Sequence, residues 1–95
     1  MKVIYGNGND AFNDFLYGTA MEIPKTNDVT YVFNFNNEYA ICETISKFQR
    51  FCIIVFDEVK GKYKIAKTVP MFADAIQSYY KQFTKHRIVY LIDLY

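Results

Sequence analysis

Apolar and polar positions along this 95-residue chain fall into short, separate rhythms. Residues 2–5, KVIY, are a brief apolar run that Gly6 ends, and they read as a strand. Phe12, Phe15 and Leu16 then recur at i, i+3 and i+4. That spacing predicts a first helix from Asn9 or Asp10, as N-cap, to about Tyr17, with Gly18 as its stop. Residues 19–28 read as a loop around Pro24, and VTYVFNF at 29–35, β-branched and aromatic, reads as a strand.

Residues 36–50, NNEYAICETISKFQR, fit two rhythms. Asn36-Asn37 suits a tight turn into a strand at 39–45. Ile41, Cys42, Ile45 and Phe48 make a helical face instead, and strict alternation would set Glu43 on the same side as Tyr39, Ile41 and Ile45. The pattern therefore favours a second helix over about 37–49. FCIIVFDEV is apolar on both faces and predicts a central, doubly covered strand. VKGK turns it into YKIAKTV, and Lys62, Lys64 and Lys67 along this partner suit an edge strand guarded against further pairing. Pro70 opens a third helix, capped by Thr68 or Val69, with Phe72, Ile76, Tyr79, Tyr80 and Phe83 as its apolar stripe. Lys81, Lys85 and His86 gather at its C-terminal end, where the helix dipole favours cations. RIVYLIDLY closes the chain as another two-sided, internal strand.

The order β-α-β-α-β-β-α-β predicts one domain over residues 1–95, of the α/β class. It would be a small sandwich with a mixed five-stranded sheet and two to three helices. If residues 38–46 are a strand, the class becomes α+β, with a meander and two helices.

Composition sharpens this in a few places. Hydrophobic residues are 52% of the chain, with nine Tyr and nine Phe, so rings are the main source of buried area and disorder is disfavoured. No apolar run approaches the roughly 20 residues that span a bilayer, and the first residues do not read as a signal peptide, so no membrane role and a cytoplasmic setting are expected. Cys42 and Cys52 read as small buried hydrophobes rather than a disulfide. With one His and two separated Cys, a four-ligand zinc site is not assembled, and neither metal nor cofactor is expected. The net charge is +1, but residues 1–45 hold two basic and six acidic side chains while residues 46–95 hold nine and four. Such asymmetry steers partners.

Gly6-x-Gly8-x-x-Ala11 has the glycine spacing of a dinucleotide fingerprint. The helix that follows is too short, however, and Asn34-Phe35-Asn36 supplies no acidic residue to hold a ribose. What survives is a candidate anion or nucleotide contact at Gly6, Asn7, Gly8, Asn9 and Asp10, from free backbone N–H groups. His86 reads as a helix-end residue, and Ser46 and Ser78 lie in helical patterns, so no nucleophile–base set emerges and enzymatic turnover is not expected. Lys60, Lys62, Lys64 and Lys67, interleaved with Tyr63, form a candidate partner-binding hairpin. The abundance of Tyr, with Tyr17, Tyr39, Tyr79 and Tyr95 in view, points to a partner surface or a homodimer seam.

The stretch YGNGNDAFNDF after KVIY, followed by a second helix, a hairpin, a third helix and a last strand, resembles the small viral ring nucleases. These are anti-CRISPR proteins that bind and cut cyclic tetra-adenylate. That family carries its catalytic His at the start of the second helix, where this chain has Phe35-Asn36-Asn37-Glu38, so the resemblance does not bring catalysis with it. It implies a viral or mobile-element accessory protein in the host cytoplasm that binds and inhibits a host protein, such as a defence nuclease of a CRISPR-Cas system. Two alternatives stand beside it. One is a dimeric binder, or weak nuclease, of a cyclic oligonucleotide held near Gly6–Asp10. The other is a single-stranded nucleic-acid binder on the lysine hairpin.

Overall fold

The computed structural model describes residues 1–6, 15–35 and 39–95. Seven strands and one helix are formed there: β1 (Lys2–Gly6), β2 (Phe15–Glu22), β3 (Asp28–Phe35), β4 (Tyr39–Ser46), β5 (Phe51–Asp57), β6 (Lys62–Val69), α1 (Phe72–Gln82) and β7 (Val89–Asp93). They make a four-stranded sheet in the order β1-β7-β5-β6 and a three-stranded meander, β2-β3-β4. Every pairing is antiparallel. The meander covers one face of the four-stranded sheet and α1 covers the other, giving three layers with two cores.

The alternation of β3 sets the first core. Val29, Tyr31, Phe33 and Phe35 turn inward, where they meet Phe15, Cys52, Ile54, Tyr63, Tyr90 and Ile92. Ile53, Val55, Val69, Val89 and Leu91 take the opposite face and pack under Ala75 and Tyr79 of α1. The period of two in β5 and β7 therefore feeds both cores at once, which is why those strands are apolar throughout. The two sheets also approach at their margins, β4 beside β6 and β1 beside β2.

This architecture overturns the expected α/β sandwich with a mixed five-stranded sheet and two to three helices. Residues 15–18, placed at the end of a first helix, belong to β2, and its N-terminal part, residues 9–14, lies outside the described residues. Phe15 is drawn into the inter-sheet core, with ring centroids 5.4 Å from Phe35 and 6.1 Å from Tyr90. Gly18 is no helix stop. It lies opposite Phe33 within the strand, and the Met1 thioether fills the space a side chain would take. The expected loop at 19–28 shrinks to residues 23–27, closed by Ile23 N–H donating to the Asp28 carbonyl at 3.3 Å.

The second helix, expected over 37–49, is also absent from its described part: residues 39–46 pair with β3 along their whole length. Glu43 does take the inward register, opposite Tyr31. It is tolerated because β4 is an edge strand, and Glu43 lines an open groove of about 420 Å³ between β4 and β6 that Lys64 also lines. A carboxylate there keeps its water, so burial does not penalise it.

The remaining elements follow the pattern. β5 and β7 are internal, β6 is an edge strand, and Gly61 closes the β5–β6 turn with φ of 68°. The helix starts one turn later than its expected caps: Met71 is the N-cap, without a side-chain bond, and Thr68 and Val69 belong to β6. Among the described residues, no helix is long and apolar enough to cross a membrane.

Candidate functional site

The lysine hairpin is built around Asp57. Its Oδ1 accepts the N–H groups of Val59 at 3.0 Å and Lys60 at 3.2 Å, and Gly61 N–H donates to its carbonyl at 2.7 Å. The Lys60 N–H first, then the Lys64 ammonium at 3.4 Å, hold the Asp57 carboxyl below its ordinary pKa. Lys60, Lys62, Lys64 and Lys67 are all exposed along this edge. Tyr63 is not among them. Its ring lies in the inter-sheet core, stacked on Phe35 at 3.8 Å with planes 7° apart, and it meets Phe56 edge-on. Alternation along β6 puts Tyr63 on the face opposite Lys62 and Lys64, so the aromatic platform expected between the lysines does not exist. Of the expected anion-contact residues, Gly6 ends β1 opposite Tyr90. Asn7, Gly8, Asn9 and Asp10 lie outside the described residues.

The other singled-out side chains are scattered. Cys52 is buried, and burial pushes its thiol pKa up, while Cys42, expected in the core, is exposed on β4. His86 Nδ1 sits 3.6 Å from Glu58 Oε2, on a carboxylate whose Oε1 accepts the Arg87 N–H at 3.0 Å. Arg50 forms a two-point bond with Asp93, 3.2 and 3.1 Å, and its guanidinium lies between the rings of Phe51 and Tyr95. Tyr95 donates its hydroxyl to the Lys47 carbonyl. Among the described residues, no three His, Cys, Asp or Glu side chains converge as metal ligands would.

A continuous aromatic surface forms along the apolar stripe expected on the last helix. On α1, Tyr79 packs down onto the sheet and is 4% exposed, but Tyr80 is 61% and Phe83 36% exposed. Their rings form a closed set: Tyr79–Phe83 at 4.6 Å, Tyr79–Tyr80 at 5.6 Å and Tyr80–Phe83 at 6.1 Å. Tyr5 of β1, also exposed, adds a fourth ring 5.7 Å from Tyr79. Burial first, then the neighbouring phenols of Tyr80 and Tyr5, raise the Tyr79 pKa, so this hydroxyl stays protonated at neutral pH. The surface extends along the helix through Ile76 to Phe72, whose ring stands edge-on to Phe51 at 5.6 Å. Lys81 and Lys85 are exposed beside it.

The sequence does contain a signal for this. Consecutive helical residues point about 100° apart, so Tyr79 and Tyr80 cannot both face one sheet. A stripe that includes adjacent aromatics is wider than the side of a helix that a sheet covers. Compared with protein-family models, curated proteins and solved structures, the chain finds no match in any of the three.

Proposed function

We propose that this chain is a non-enzymatic binding domain that docks on another protein through the aromatic face of α1 and β1. The observation that carries this reading is the contiguity of Tyr5, Tyr80 and Phe83 around the buried anchor Tyr79, with Lys81 and Lys85 alongside. Tyr and Phe supply large contact area at low conformational cost, and such rings, clustered and water-excluding, are the usual centre of a protein interface. The partner this face fits presents an apolar knob with an acidic rim. That it is a host protein, such as a defence nuclease, comes from the sequence resemblance.

The test compares wild type with Tyr80→Ala/Phe83→Ala in affinity capture from host lysate, with circular dichroism to show that the fold persists. Loss of a specific co-purifying protein, with affinity down about 30-fold or more, is the expected result for a hot-spot pair. Capture that survives this pair but is lost in Lys62→Glu/Lys64→Glu would move the interface to the hairpin. Exposed rings beside lysines are also the ingredients of a single-strand platform. Tight oligonucleotide binding with a steep salt slope, abolished by the same aromatic pair, would replace the protein partner with nucleic acid.

A further inference from the structure

The meander has an unusual distribution of charge. An antiparallel sheet with one covered face ordinarily turns apolar residues inward and polar residues, charged ones among them, outward. Here two of the three carboxylates on the described strands of the meander, Glu22 and Glu43, take the inward register, opposite Val29 and Tyr31, at the sheet's two edges. The outward register is kept free of them. Thr19, Val32 and Cys42 form one cross-strand row, and Met21, Thr30 and Thr44 the next. Asn34 beside Ala40 continues the face, and Asp28 stands only at its far end. Among the described residues between those limits no side chain is charged at neutral pH, and Met21 is 60% exposed.

We propose that this open face of the meander is a seam between two copies of the chain, stacked sheet on sheet. Across a two-fold axis each residue meets its own kind or its neighbour's, so any charge near the axis would face a like charge. A face from which charge has been moved to the edges suits such self-contact. A charge-matched partner would instead require complementary groups here. The size is also sufficient. Three strands about 4.8 Å apart and about eight residues long span roughly 14 by 27 Å. With side-chain relief, stacking two such faces removes on the order of 1,200 Å² from water, the lower bound for a specific interface. The complex is accordingly a reversible dimer. Because the meander and α1 are opposite outer layers, the dimer leaves both aromatic faces free.

Sedimentation of the full chain over a wide concentration range tests this, together with the labelling rate of Cys42, the exposed thiol. Wild type is expected to pass from monomer to dimer with rising concentration, and Cys42 labelling to slow about fivefold or more as the dimer fills. Val32→Glu, which sets paired carboxylates near the axis, is expected to remain monomeric. Thr30→Lys gives the same reading through a residue that leaves the core untouched, and serves if Val32→Glu does not fold. A wild type that stays monomeric throughout overturns the proposal. So does a dimer that persists in the folded variant with Cys42 still freely labelled. A dimer broken by Tyr80→Ala/Phe83→Ala and not by Thr30→Lys puts the seam on the helix and likewise overturns it, whereas loss of partner capture alone leaves the dimer standing.

Discussion

At the scale of single residues, Asp57 and Asp93 have the most legible chemistry. Burial pushes the Asp93 carboxyl up most strongly, but the Arg50 hydrogen bond, the Tyr95 N–H and the charges of Arg50 and Lys2 together carry it below its ordinary value. Asp57 is lowered as well, chiefly by the Lys60 N–H. A carboxyl whose folded pKa lies below its unfolded one favours folding fully above the unfolded value, about 4, and loses that contribution as pH falls through the folded one. Melting temperature is therefore expected to hold from neutrality to about pH 5 and to drop below about pH 4, with a smaller drop in Asp93→Asn. An acid limb of equal size in that variant would remove Asp93 from the account. Cys52 shows the reverse environment: with its thiolate disfavoured by burial, it lends nothing to thiol chemistry in the folded chain.

At the scale of elements, two turns make the same left-handed demand on the backbone and meet it with different residues. Gly61 adopts φ of 68° where no neighbouring atom would obstruct a side chain, so its role is purely conformational. Lys25 adopts φ of 66° after Pro24, a position that suits Gly or Asn. Gly61→Ala is expected to destabilise by about 1 kcal/mol and Lys25→Asn to stabilise by a few tenths to about 1 kcal/mol, read as opposite shifts in thermal midpoint. Shifts of the same sign would contradict the turn geometry. Five strands were legible in the sequence, β1, β3, β5, β6 and β7, and the central pair β5 and β7 most plainly, because both their faces are buried and no polar residue interrupts the apolar run. The strands misread as helix lie at edges. In β4 the inward Glu43 mimics a helical break in alternation, and in β2 three apolar residues and a glycine are too few to separate a period of 3.6 from one of 2. The lysine hairpin was legible as an edge, but the burial of Tyr63 depends on the meander, which the sequence offered only as the alternative in which residues 38–46 are a strand. Tyr79, expected at a partner surface, is buried while Tyr80 and Phe83 are exposed for a related reason: how much of a helix stripe is covered depends on which strands lie beneath it.

At the scale of the whole molecule, the two cores are joined through a single sheet, and Tyr63 sits where edge strand, meander and central strands meet. Its ring lies within 6.3 Å of Phe35, Tyr39, Phe56 and Tyr90, centroid to centroid. Tyr63→Ala is expected to destabilise by about 3–5 kcal/mol, whereas Lys62→Ala, one residue away, stays within about 0.5 kcal/mol. Similar small effects from both would return Tyr63 to the surface. The placement of β7 bears on how the molecule comes into being. Among the described residues it follows every other strand, yet lies between β1 and β5 and is the one strand to which β1 is hydrogen-bonded. During synthesis the meander can zip together early, but β1 stays unattached until residues 89–93 clear the ribosome. Until β7 emerges the nascent protein thus exposes a greasy half-sheet, and its safe arrival depends on that emergence outpacing wrong encounters or on a chaperone shielding the strip in the interval.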